Sequence, residues 1–140
     1  MSEQRILLIE DNQDDEELAL MAFEQSRIAN EMVVIRDGQE ALDYLLGPNA
    51  LPLPQLILLD LKLPKVSGID VLRRLRGDPR TRRLPIVVLT SSREEEDLIT
   101  SYDLGANSYI RKPVEFGAFA AAIRQLQMYW LVLNESPVGE

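Results

Sequence analysis

Residues 56–70 read Leu56-Ile57-Leu58-Leu59-Asp60-Leu61-Lys62-Leu63-Pro64-Lys65-Val66-Ser67-Gly68-Ile69-Asp70. Four aliphatic residues in a row, with no polar alternation, suit a strand covered on both faces, which is how strands of a parallel sheet look. The run stops at an acid. A short turn with a proline follows, and from Ser67 to about Arg76 the residues Ile69, Leu72 and Leu75 recur at helical spacing until Asp78-Pro79 ends the pattern.

The same sequence of strand, acidic or polar terminus and helix repeats on both sides of this stretch. Ile6–Ile9 is a buried-type strand ended by Glu10 and Asp11, and a helix is expected over Asp14–Arg27 with acids in its first turn. Met32–Ile35 is a second strand, and Gly38 opens a helix whose apolar side holds Ala41, Leu42, Leu45 and Leu46 before Gly47-Pro48. Pro48 to Gln55 has no helical period and reads as a loop longer than most of its kind. Ile86–Leu89 ends at Thr90, Arg93–Leu104 is a charged helix closed by Gly105, Ser108–Ile110 reaches Lys112-Pro113, and a last helix runs from about Glu115 to Leu133. Alternation of this kind predicts an α/β fold, five strands in an open parallel sheet with helices on both faces, where ligands bind beyond the carboxyl ends of the strands.

Length and composition set the limits. A chain of 140 residues, 46% hydrophobic, can bury about 70% of its unfolded surface in one core, so one domain over residues 1–140 is expected, with a core from about 4 to 126 and an extended C-terminal helix and tail. No apolar stretch approaches the roughly 20 residues that cross a bilayer, and Met1–Arg5 carries no leader pattern, so the expected setting is the cytoplasm, away from membranes. The absence of cysteine and histidine excludes disulfides, thiolate or imidazole metal sites and phosphohistidine carriers, leaving carboxylate, hydroxyl and ammonium chemistry. A net charge of −8 argues against a nucleic-acid partner.

The residues just past the strands are Glu10 and Asp11, Asp60, Thr90 and Ser91, and Lys112. Three acids meeting at one edge would repel one another unless they held a cation, and an all-oxygen donor set suits Mg²⁺. Lysine and hydroxyl beside them match a phosphoryl group, whose transfer needs an in-line nucleophile and positive charge on the equatorial oxygens.

On the segments ILLIEDN, DGQEALDYL, LILLDLKLPKVSGID, IVVLTSS and SYIRKPV, in that order, the chain resembles the receiver domains of two-component response regulators over essentially its whole length. The resemblance implies the flavodoxin-like strand order 2-1-3-4-5 and Asp60 as phosphoacceptor. It implies Mg²⁺ held by Asp11, Asp60 and the Lys62 backbone carbonyl, with Glu10 acting largely through water. It further implies that Thr90 and Lys112 contact the phosphoryl group with Ser91 beside it, that Lys112-Pro113 is a cis peptide, and that Thr90 and Tyr109 form the switch. The partner implied is a sensor histidine kinase. The loop before the third strand, LPKVSG, DPRTRRLPIVVLTSS and MYWLVLNESP also resemble the single-domain regulators associated with phytochromes, which makes a bacteriophytochrome a candidate kinase. Glu10 stands where an aspartate is commoner, and Lys62, Ser91 and Ser92 lie where side chains alter the lifetime of the phosphoaspartate.

Other features have plainer readings. Asp14–Glu17 and Glu94–Asp97 favour helix starts, and Arg73, Arg74, Arg76, Arg80, Arg82 and Arg83 read as a solvated basic face. In the last helix Phe119, Ile123, Leu126, Trp130 and Leu133 form one apolar seam, while Ala118, Ala122, Tyr129 and Val132 form a second, so Ala118, Ala122, Tyr129, Trp130 and Val132 are expected at a homodimer interface. The expected output is protein contact. The rival enzyme, an aspartate-nucleophile phosphohydrolase, normally has a second Asp where this chain has Lys62, and the rival of a phosphorylation-independent binding module leaves the polar strand ends unexplained.

Overall fold

The computed structural model describes residues 5–25, 31–48, 53–90, 95–111 and 116–127. In chain order these form β1 (Arg5–Ile9), α1 (Gln13–Gln25), β2 (Glu31–Ile35), α2 (Gly38–Leu46), β3 (Leu56–Leu59), α3 (Gly68–Gly77), β4 (Ile86–Thr90), α4 (Glu95–Asp103), β5 (Ser108–Arg111) and α5 (Phe116–Gln127). All strands are parallel, in the order β2-β1-β3-β4-β5, with Ile9 level with Leu59 across β1 and β3 and Thr90 level with Arg111 across β4 and β5. The expected topology is therefore the observed one.

Side chains that alternate along the central strands build two cores. On one face Leu7, Ile9, Ile57, Leu59, Ile86 and Val88 pack with Leu42 and Leu45 of α2 and Val71, Leu72 and Leu75 of α3. On the other, Ile6, Leu8, Leu56, Leu58, Val87 and Leu89 meet Ala19, Ala22 and Phe23 of α1 and Ile123 of α5. This two-faced burial explains the unbroken aliphatic runs, because a residue of either parity needs an apolar neighbour. Each such side chain withdrawn from water contributes about 1.5–3 kcal/mol.

Helix ends follow local chemistry. Asp37 caps α2 by accepting the Glu40 N–H at 2.7 Å, and Ser67 caps α3 by accepting the Asp70 N–H at 3.2 Å, so Ser67 precedes α3 rather than beginning it. The expected ends of α1 at Arg27, α4 at Arg93 and α5 at Leu133 lie outside the described residues, as does half of the loop before β3. Among the described residues no helix is long and apolar enough to cross a membrane.

One expectation is corrected. Arg76 is not part of a solvated basic face: it is half-buried and spans the amino edge of the sheet. Its Nε and Nη2 donate to the Gly105 carbonyl at 3.1 and 2.8 Å, its Nη1 to the carbonyls of Arg82 and Leu84 at 3.0 and 2.7 Å, and its Nη2 also to Asn107 Oδ1 at 3.1 Å. Burial draws its pKa down from the usual arginine value. Arg80 is also engaged, with Asp78 and with the Leu46 carbonyl, whereas Arg74, Arg82 and Arg83 are exposed as expected.

Candidate functional site

Parallel pairing brings the ends of β1 and β3 side by side. The pairing continues one residue past each strand: the Glu10 N–H donates to the Ile35 carbonyl at 2.9 Å, and the Asp60 N–H donates to the Ile9 carbonyl at 3.0 Å. Both acids are thus locked by backbone into the carboxyl edge, and both side chains are buried, Glu10 to 1% and Asp60 to 7% exposure. Asp11, one residue further, is exposed. Burial of two carboxylates at adjacent strand ends is costly in hydration and in mutual repulsion, so their placement asks for compensation.

Part of that compensation is local. Glu10 Oε2 accepts the Asn12 N–H at 3.2 Å, and Asp60 Oδ1 accepts the Lys62 N–H at 3.2 Å, which curls the chain after β3 back over the carboxylate. The curl is held at both ends. The Gly68 N–H donates to the Leu61 carbonyl at 2.9 Å, and a Cβ on Gly68 would stand 2.2 Å from the Asp60 carbonyl oxygen, so only glycine lets α3 start this close to the acid.

Among the described residues no group of three or more acids is gathered as a ready cation cluster. Two buried carboxylates, an exposed third and nearby backbone carbonyls are nevertheless a fitting donor set for Mg²⁺, which keeps several waters and takes one or two carboxylates plus phosphate oxygens in place of an all-protein cage. The three-acid meeting expected from the sequence is not gathered among the described residues: Glu10 and Asp60 are buried, and Asp11, next after Glu10, is exposed.

The other strand ends are reached only by backbone. Thr90 closes β4 and Arg111 closes β5, level with each other, so both strands end at the same edge of the sheet as β1 and β3. The Thr90 side chain, Ser91, Lys112 and the Lys112-Pro113 peptide lie outside what is described, as do Tyr129, Trp130 and Val132. Tyr109 is half-buried on β5, level with Val88, and packs against the core shared with α2 and α3. In α5, Ile123 is buried, Ala122 is half-buried and Ala118 is exposed.

Residue-type reasoning missed the loop after β3. Lys65 has a φ of 69°, and the amino end of α2 comes up against this loop, with the Gly38 N–H donating to the Pro64 carbonyl at 3.2 Å. The available signal was the pair of glycines, Gly38 and Gly68, each next to a helix-capping residue where neither a kink nor a hairpin is needed.

Comparison with known proteins agrees with this geometry. Among curated relatives, the probable methanogenesis regulatory protein FilR2 of Methanothrix harundinacea is 40% identical over 94% of this chain and 86% of its own length. The response regulator Rcp1 of a Synechocystis strain is 37% identical over 90% and 88%, and its Mn²⁺-bound crystal structure superposes with a TM-score of 0.85 over 96% of this chain and 99% of that one. The phosphorylated cyanobacterial phytochrome response regulator RcpA is 38% identical with a TM-score of 0.87 over 97% and 99% of the two chains. The bacteriophytochrome response regulator AtBRR is 50% identical with a TM-score of 0.74 over 96% and 100%. The family model for the response regulator receiver domain matches residues 6–124, from β1 into α5, so the acids at the ends of β1 and β3 stand in a chain that belongs to the response regulator receiver domains.

Proposed function

We propose that the chain is a single cytoplasmic receiver domain acting as a phosphorylation-driven switch, with Asp60 as the acceptor. The observation that carries this is the pair of buried carboxylates, Glu10 and Asp60, set by backbone pairing at the carboxyl edge of adjacent parallel strands, with Asp60 still in touch with solvent. An ionised Asp60 oxygen attacks the phosphorus of a phosphohistidine or a small acyl phosphate in line. The bond from phosphorus to the donor's nitrogen or oxygen breaks, and an aspartyl phosphate remains.

Asp11, Asp60 and the Lys62 carbonyl would hold Mg²⁺, with Glu10 acting largely through water, and the bound ion supplies positive charge to the phosphoryl oxygens. Lys112 would pair with the same oxygens, aimed by the cis bond to Pro113 that the resemblance implies, with Ser91 beside them. Thr90 moves inward to donate its hydroxyl, and Tyr109 follows into the space released, which remodels the surface of α4 and β5. The half-buried position of Tyr109 supports that role.

The donor is a sensor histidine kinase. A bacteriophytochrome is the first candidate, supported by the likeness to RcpA and AtBRR. Output is by protein contact, with a homodimer formed through Ala118, Ala122, Tyr129, Trp130 and Val132. The outward placement of Ala118 while Ile123 faces the core supports a second, outer seam on that helix.

The test is mass spectrometry of the protein incubated with a small acyl phosphate, with and without Mg²⁺. One metal-dependent phosphoryl adduct is expected, absent from Asp60→Asn. No adduct on the wild type, or an adduct that survives in the variant, overturns the reading. Light scattering that finds only monomer, phosphorylated or not, removes the dimer.

A further inference from the structure

Between Asp60 and α3 the chain makes a tight turn that is hard to hold. The Val66 N–H donates to the Pro64 carbonyl at 2.8 Å, closing three residues with Lys65 at the centre, and Lys65 has a φ of 69°. This is the sign of φ that belongs to the rarer, strained form of the γ-turn, and a lysine has no intrinsic preference for it. Strain of this kind persists only where surrounding groups over-determine it.

Those groups belong to the start of α2. Besides closing the γ-turn, the Pro64 carbonyl accepts the Gly38 N–H at 3.2 Å. The Asp37 carboxylate, which caps α2 through Oδ1, presents Oδ2 to Lys65 Nζ at 3.8 Å. Gly38 is pressed so close that a Cβ there would stand 1.9 Å from the Val66 carbonyl oxygen and 2.7 Å from its carbon. Both are backbone atoms, so any side chain at position 38 must displace the turn.

The turn lies two residues beyond Lys62, whose N–H reaches Asp60 Oδ1. We infer that the amino terminus of α2, through Gly38, is a positioning element for the site: it clamps the strained Pro64-Lys65-Val66 turn and so sets where the Lys62 peptide stands relative to Asp60. The inference rests on the reading of Asp60 as acceptor and of the Lys62 carbonyl as a Mg²⁺ ligand.

The experiment is Mg²⁺ titration by calorimetry on the unphosphorylated protein, with amide hydrogen exchange at Lys62 and Val66 in the metal-free protein and thermal melting as a measure of fold. Three variants are compared with wild type. Gly38→Ala drives a Cβ into the turn, Lys65→Val puts a β-branched residue at a φ it resists, and Lys65→Gly removes the ammonium while permitting that φ. Expected is an Mg²⁺ affinity about tenfold or more weaker in Gly38→Ala and Lys65→Val, the scale seen when groups supporting a metal ligand are lost. Their Lys62 and Val66 amides exchange faster, while Lys65→Gly binds as wild type does.

Folded Gly38→Ala and Lys65→Val proteins that bind Mg²⁺ like wild type overturn the inference. So does an equal loss in Lys65→Gly and Lys65→Val, which would assign the effect to the ammonium and not to the turn. Should Gly38→Ala fail to fold, the Lys65 pair decides alone. A wild type that binds no Mg²⁺ and takes no phosphoryl group would defeat the reading of the site itself, a different outcome from any of these.

Discussion

At the carboxyl edge of the sheet two buried carboxylates, Glu10 and Asp60, follow adjacent strands, and the loop over them contains a left-handed lysine. At the amino edge one guanidinium, Arg76, gathers the carbonyls of Gly105, Arg82 and Leu84 and the side chain of Asn107, whose Oδ1 also accepts the Ile86 N–H at 2.8 Å. The second arrangement closes on itself: α3, the lead into β4 and the turn before β5 share one cation, and every contact is made by the protein. The first keeps like charges together in a strained frame. The bracing residues thereby stand at one edge of the sheet, before β4 and β5, and the acids proposed to react stand at the other, after β1 and β3, where strain and charge burden are tolerated.

This contrast can be broken from either side. The largest expected effect is at the carboxyl edge, where Asp60→Asn abolishes the phosphoryl adduct completely while the melting temperature stays level or rises, because one of two neighbouring buried charges is removed. An unfolded Asp60→Asn protein would mean that the carboxylate holds the fold and that the edges do not differ as described. Next is Arg76→Ala, expected to lower stability by about 2–3 kcal/mol, the worth of one or two charge-assisted hydrogen bonds left unmade. For a chain of this size that is a fall of roughly 2–4 °C in melting temperature per kcal/mol. Its adduct yield and Mg²⁺ affinity should be those of wild type. Arg76→Lys should recover little, since a single ammonium cannot reach acceptors spread around a planar fork. Loss of phosphoryl uptake in Arg76→Ala would show the edges to be coupled and would break the division of labour.

The smallest effect sharpens the amino-edge half. Asp78 accepts from the Arg80 backbone N–H at 2.8 Å and from its Nε and Nη2 at 3.2 and 3.1 Å, and these contacts, the side-chain bonds foremost, hold its carboxyl below the ordinary aspartate range. A group whose folded pKa is depressed binds its proton more readily when unfolded. Its contribution is therefore complete above about pH 3.9, the unfolded value, and fades as pH falls through the lower folded value. Acid unfolding of wild type should be slightly steeper than that of Asp78→Asn, and raised salt should bring the curves together, because the pair lies at the surface, with Arg80 54% and Asp78 25% exposed. Curves that differ above pH 5 instead would assign the effect to another group.

Most of the fold was legible because the aliphatic runs at Ile6, Met32, Leu56 and Ile86 have no competing pattern and lie at the spacing that helical crossovers need. Asp60, Glu10 and Asp11 were legible for a related reason: each follows its run directly, and a parallel sheet collects such positions at one edge. Arg76 was misread because all its acceptors lie outside α3, two of them, Gly105 and Asn107, about thirty residues away, and nothing within α3 separates a bracing arginine from a solvated one. Lys65 was not singled out because what packs against its turn, Gly38, belongs to a different helix. The common cause is distance along the chain. Periodicity reports which face a residue takes within its own element, and says nothing of what another element brings to that face.

The strand order has one more implication. β3, with all four residues buried, is the middle strand, flanked by β1 and β4, while β5 is a border strand whose Ser108, Tyr109 and Ile110 keep partial contact with water. Opening β3 means dismantling the whole sheet, whereas β5 can peel away on its own, so amide protons should survive longest at the centre and wash out first at that border. A perturbation made beside the central strand would find its easiest relief at the borders of the sheet, where the fewest backbone bonds have to break.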